Sequence, residues 1–208
     1  MTIHYPNGKL YRPKKSTASK SDTPAKKKIN YSKRGMSLEQ ELNDSNEYYL
    51  ATNRAVIHKK PIPVQVVNVH YPKRSAAVIT EAYYRKASTT DYNGLYRGYY
   101  LDFEAKETKN QTLFPLKNFH EHQIVHMRQC SDHGGIVFVI ILFSFYNELY
   151  LIETKDILPF WDDQDTASGR KSIPLDYIRE TGYKLNYSLA PRIPYLEAVD
   201  QIIEKHKQ

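Results

Sequence analysis

Three residues have types and spacing that suit hydrolytic chemistry: Asp91, Glu104 and Lys106. Asp91 stands just before Asn93-Gly94, and thirteen residues later Glu104, Ala105 and Lys106 fall in the run YYLDFEAK, which reads as a strand. Residues i and i+2 of a strand project to one face, so Glu104 and Lys106 point the same way. If Asn93-Gly94 is a hairpin turn, the returning strand brings both toward Asp91. Two carboxylates in reach of one another repel unless a cation lies between them, and hard oxygen ligands suit Mg²⁺ or Mn²⁺. A lysine on the same face can hold a nucleophile or offset charge developing on a phosphoryl group. The competing reading is a surface hairpin of salt-bridged charges.

The elements that must position these residues follow from patterning. Ser37 and Gln40 have the spacing of a capping box, so a helix is expected over 37–54. Residues 55–58, 64–69 and 76–84 are β-branched or aromatic runs bounded by prolines, the marks of strands, with YPKR (71–74) as the turn between the last two. The returning strand covers 99–106, and a helix is expected over 116–129, ended before Gly134-Gly135. The apolar run 136–143 (IVFVIILF) reads as a fully buried strand, because it is about half the length that would span a bilayer. A strand at 148–152, a short helix at 154–160, a loop with Gly169 and a last helix at 195–205 complete the chain. This order predicts an α/β (α+β) domain with a mixed sheet flanked by helices.

Charge divides the chain. Residues 1–35 hold ten Lys and Arg against one acid, Asp22, and the remainder holds 20 basic against 22 acidic residues. Residues 1–33 alternate Lys, Ser, Thr and Pro with few large aliphatics, so they are expected to form a disordered basic arm, with the folded domain at 34–208. A basic arm on a near-neutral body suits a polyanion, since Lys and Arg near phosphates release condensed counterions. Cys130 is the single cysteine, which excludes an intramolecular disulfide and a multi-cysteine zinc site. The polar N-terminus shows no secretory run, so a cytoplasmic protein without membrane attachment is expected. No GxxxxGK[ST] loop occurs, which argues against ATP-driven work. Neither Ser37 nor Cys130 has an evident base, so covalent catalysis lacks support.

Several motifs carry a more specific signal: KRGMSLEQELN (33–43), YPKRSAAVI (71–79), STTDYNG (88–94), DFEAKET (102–108), FPLKNFHEHQI (114–124) and GRKSIPL (169–175). In this order they resemble the RecU Holliday junction resolvase family, within the PD-(D/E)XK nuclease superfamily. The resemblance implies a restriction-endonuclease-like core and a hairpin stalk at about 63–84 that enters the centre of a four-way DNA junction. It implies metal ligation by Asp91 and Glu104 with help from Thr89 and Gln123, and a transition-state role for Lys106. A homodimer is also implied, as are contacts with a recombinase and a branch-migration motor. Thr90 departs from the superfamily, standing where its name-giving proline precedes the aspartate.

Lys59, Lys60, Lys73 and Arg74 are interleaved with prolines and Tyr71, a stiffened basic segment suited to a DNA backbone. Tyr83 and Tyr84 could stack on unpaired bases, although alternation turns one of them toward packing. Arg34 is a DNA contact by resemblance. His120, His122 and His126 lack a carboxylate at zinc-site spacing and are read as surface or phosphate-facing. Glu47 on the first helix is either a further metal neighbour, as in relatives of the fold, or solvent-facing.

The function expected from the sequence is Mg²⁺-dependent resolution of Holliday junctions by paired nicks, with Mn²⁺ as a substitute. Its rivals are a flap or sequence-specific endonuclease of the same fold, and a non-catalytic DNA-binding or annealing protein of recombination.

Overall fold

The computed structural model describes residues 36–73, 76–85 and 89–207. The first helix, α1 (Leu38–Ala51), begins where Ser37 Oγ accepts the amide of Gln40 at 3.2 Å and buries Leu38, Leu42 and Tyr49 along one stripe. It leads into β1 (Val56–Lys59), β2 (Val64–Lys73), β3 (Ala76–Tyr84), β4 (Tyr92–Tyr96), β5 (Tyr99–Thr108) and the short β6 (Leu113–Pro115). Then come α2 (Glu121–Asp132), β7 (Ile136–Phe143), β8 (Glu148–Glu153) and α3 (Thr154–Asp163). The chain ends with β9 (Ser172–Pro174), α4 (Leu175–Thr181), β10 (Tyr183–Leu185) and α5 (Leu196–His206).

Six strands form a mixed sheet in the order β1-β4-β5-β7-β8-β10, in which only β5 and β7 run parallel. Every residue of β7 is buried, because helices cover both faces. Ile136, Phe138, Ile140 and Leu142 join the core under α1 and α5, whereas Val137, Val139, Ile141 and Phe143 join the core under α2, α3 and α4. At roughly 2 kcal/mol for each large apolar side chain taken from water, this strand is a main source of the fold's stability. The expectation of a mixed central sheet flanked by helices is borne out.

The hairpin turn lies elsewhere than expected. Asn93-Gly94 sits inside β4, and the chain reverses at Arg97-Gly98, both with positive φ (52° and 84°). Two consecutive left-handed residues make the two-residue loop whose twist matches its flanking strands. Gly94 is needed for another reason: a Cβ there would lie 2.1 Å from the Val56 carbonyl oxygen of β1. Tyr71, Pro72 and Lys73, expected in a turn, belong instead to β2. The strands β6, β9 and β10 and the helix α4 escaped the sequence reading, being too short to show a period.

β2 and β3 form a two-stranded ribbon outside the main sheet, with register shifts along the ladder. Val64, Val66, Val67, Tyr71, Val78, Ile79, Tyr83 and Tyr84 are all exposed on it. The expected basic arm, with Arg34, and the expected DNA contact Arg74 lie outside the described residues.

Candidate active site

The register of β4 against β5 brings the expected residues together. Tyr92 pairs with Phe103 and stacks on it at 4.8 Å in the core under α1. Alternation therefore turns the preceding Asp91 and the following Glu104 toward the α2 side. The Asp91 amide donates to Glu104 Oε2 at 3.1 Å. Lys106, two residues on, places Nζ 2.9 Å from Glu104 Oε1 and 3.2 Å from Gln123 Oε1. Gln123 is buried on the first turn of α2, where its Oε1 also accepts the His120 amide at 3.0 Å in a capping box. Thr89 is half-buried, and its hydroxyl donates to the Thr90 carbonyl at 3.2 Å.

The electrostatics of this group are unbalanced. Glu104 is 1% exposed, and burial pushes its carboxyl up to about 7; Lys106 works against that rise, while the adjacent Asp91 adds to it. Once Glu104 ionises, above about pH 7, two carboxylates and one ammonium leave net negative charge in a place poor in water. The available donors are oxygens throughout, the set that suits a hard dication.

A second cluster lies on the same face of β5, and sequence reasoning missed it. Asp102 is completely buried and accepts from Lys60 Nζ at 2.8 Å, from Tyr100 OH at 2.7 Å and from the Thr90 hydroxyl in a short hydrogen bond. His126 Nε2 stands 3.2 Å from it and Cys130 Sγ 3.5 Å from His126 Nε2. Asp102, His126 and Cys130 thus gather their ligand atoms within 4.8 Å of one another. Lys60 Nζ already occupies this space, 3.4 Å from His126 Nε2. The place a cation would take is filled by the chain's own ammonium. The signal was available, because the alternation that pairs Glu104 with Lys106 also puts Asp102 on their face.

The sequence model of the family described as Recombination protein U matches residues 33–201. The chain belongs to the RecU family. It is 62% identical over 205 residues to a protein of Lactiplantibacillus plantarum, covering 99% of this chain and 98% of the other. With a protein of Bacillus subtilis it shares 54% identity over 200 residues, covering 96% and 95%. Both bear the name Holliday junction resolvase RecU. A solved structure of Archaeoglobus fulgidus Hjc, described as a Holliday junction resolvase, aligns with 69% of this chain and 94% of its own at 8% identity and a TM-score of 0.39.

Within this RecU-family chain the expected DNA contacts among the described residues are dispersed. Tyr84 is 82% and Tyr83 60% exposed, so neither packs into a core as alternation suggested; Tyr83 OH donates to Glu81 at 2.6 Å. Lys59 is exposed and pairs with Glu39 of α1 at 2.5 Å. Lys60, grouped with Lys59 in sequence, faces inward instead, since successive residues leaving a strand alternate faces. His126 is drawn inward too, by Asp102. His120 and His122 stack at 5.4 Å near the start of α2. Glu47 is exposed beside Asn43, His58 and Lys59, on a helix that covers the opposite side of the sheet from Glu104.

Proposed function

We propose that this chain is a divalent-metal-dependent endonuclease that resolves Holliday junctions in recombination and DNA repair. The observation that carries the reading is the pairing of Asp91 with a buried Glu104 whose carboxyl is raised to about 7, with Lys106 on the same face, in a RecU-family chain. The curated relatives' name supplies the substrate, a four-way DNA junction.

Asp91 and Glu104 would hold Mg²⁺, or Mn²⁺ in its place, with the half-buried Thr89 hydroxyl as a further oxygen ligand. When bound there the metal supplies polarisation of the scissile phosphate and acidification of the attacking water. Lys106 meets the charge that develops on the phosphate as the phosphorus–oxygen bond to the leaving group breaks. Gln123, whose Oε1 accepts from both Lys106 and the His120 amide, would hold the lysine beside Glu104 and offer its amide oxygen as a weak further ligand. Exposed Lys59 and Tyr84, with Arg34 and Arg74, meet the DNA, and the β2–β3 ribbon acts as a stalk at the crossover. Resolution takes two symmetry-related nicks, so the working form is a homodimer with one site on each of two strands. Its place is the cytoplasm, where a recombinase and a branch-migration motor would supply and hand over junctions.

The test uses a synthetic four-way junction with the wild type, Asp91→Asn and Lys106→Ala. The wild type should nick only with Mg²⁺ or Mn²⁺. Both variants should lose at least two orders of magnitude in rate, while junction binding by gel shift in EDTA stays within a few-fold. Wild-type cutting in EDTA, or both variants cutting at the wild-type rate, would refute the reading.

A further inference from the structure

The buried Asp102 cluster does no chemistry in the proposed reaction, yet its bonds converge on the backbone that carries Asp91. Lys60 follows the last residue of β1, and its amide donates to the Asp91 carbonyl at 2.7 Å. Its ammonium donates to Asp102 Oδ2 at 2.8 Å and to Thr90 Oγ1 at 2.9 Å. Thr90 is 2% exposed, and its hydroxyl binds the other oxygen of Asp102. Asp91 is therefore held three ways: its carbonyl by Lys60, its amide by Glu104 Oε2, and the residue before it through a side chain locked to β5. A proline before the aspartate would fix that backbone by its ring alone. Here a hydroxyl fixes it through a buried carboxylate.

We infer that Thr90, Lys60 and Asp102 are positioning residues that set Asp91 against Glu104 at the distance a hard dication requires. The inference rests on the metal-site reading above. Small octahedral cations tolerate little error in ligand placement, so a loosened residue 90 should weaken metal binding more than it weakens the fold. Lys60 has a second effect, because its charge neutralises Asp102 two residues from Glu104 and spares the metal site a further anion.

The full-length protein tests this with Thr90→Val, which keeps the shape and removes the hydroxyl, and Thr90→Ser, which restores it. Mn²⁺ affinity of the apoprotein by titration calorimetry, junction nicking at saturating DNA, junction binding in EDTA and the thermal midpoint would be measured together. Thr90→Val should bind Mn²⁺ at least ten-fold more weakly and nick at least ten-fold more slowly at a fixed sub-saturating Mn²⁺ concentration. Thr90→Ser should recover to within about three-fold, and EDTA junction binding should hold within two-fold for both. Wild-type Mn²⁺ affinity in Thr90→Val overturns the inference, as does an equal loss in Thr90→Ser. If Val does not fold, Lys60→Met is measured instead, with the same ten-fold loss expected and wild-type affinity again overturning the inference. A wild type that neither binds Mn²⁺ nor nicks refutes the metal-site reading itself, a separate outcome.

Discussion

Glu104→Gln should make the metal-free protein more stable, and only above a definite pH. A carboxyl raised from 4.5 to about 7 contributes stability that is fully present below pH 4.5 and lost as the pH rises through 7. The arithmetic at 1.36 kcal/mol per pH unit gives a cost of about 3 kcal/mol once Glu104 is ionised. The amide does not titrate and escapes that cost. Its one oxygen can accept either the Asp91 amide or the Lys106 ammonium, a loss of about 1 kcal/mol against the ionised carboxylate. The variant should therefore be about as stable as the wild type at pH 4.5, where both present one carbonyl acceptor, and more stable by about 2 kcal/mol at pH 8.5. For a chain of this size that corresponds to a midpoint difference of about 4–8 °C. Urea melts in EDTA at half-unit steps from pH 4.5 to 8.5 would read the divergence. Saturating Mg²⁺ should then raise the wild type and leave the variant unmoved, because a ligand that binds only the folded state stabilises in proportion to its affinity. Parallel curves across the pH range, or a wild type that remains the more stable at pH 8.5 in EDTA, would refute the reasoning.

Gly94→Ala should destabilise by on the order of 3 kcal/mol in denaturant melts, because the new methyl lies within 2.1 Å of the Val56 carbonyl and 2.6 Å of Ile57 Cα. Gly98→Ala meets open space and should cost only about 1 kcal/mol, from its φ of +84°. Tyr84→Ala should leave the melt unchanged and weaken junction binding by about 1–3 kcal/mol with little effect on duplex, as expected of an exposed ring that stacks on an unpaired base; equal losses on both substrates in gel shifts would remove the ribbon from junction recognition. Deleting residues 1–30 should flatten the dependence of junction affinity on salt while the folded body keeps its melting midpoint, since eight of the ten basic residues of the first 35 go with it.

The long elements were legible because their patterns have room to repeat. Eight apolar residues without a charge could only be a strand covered on both sides, and Ser37 with Gln40 marked the start of α1 to the residue. Asp91, Glu104, Lys106 and Gln123 were brought together by alternation and by the resemblance to a family. The turn was misplaced because Asn-Gly and Arg-Gly both offer the left-handed conformation; what excluded Asn93-Gly94 was a neighbouring strand passing within contact of Gly94, a tertiary fact. Lys60 shows the same limit. Beside Lys59 it reads as one more surface cation, and only the fold brings it to a buried carboxylate 42 residues away. The three-residue strands β6, β9 and β10 pair over long sequence separations and leave no local trace.

Charge balance separates the two acidic clusters on β5 where residue type does not. By composition, Asp102 with His126 and Cys130 looks the better metal site, since imidazole and thiol are strong ligands and all three converge. Its carboxylate, however, has an ammonium at 2.8 Å, two hydroxyls and an imidazole around it. A dication entering there would have to expel Lys60 and with it the hydrogen bond that holds the Asp91 backbone. At Glu104 the situation is reversed, with two carboxylates facing one ammonium and the acid raised to about 7 by burial and by the neighbouring Asp91, against the opposing pull of Lys106. Attraction between opposite charges in such a place greatly exceeds its value in water, so on the proposed reading an added dication would gain most at Asp91 and Glu104. The same strand thus carries one carboxylate that is neutralised from within and one left to be neutralised from outside. The first keeps the backbone of the second site in place.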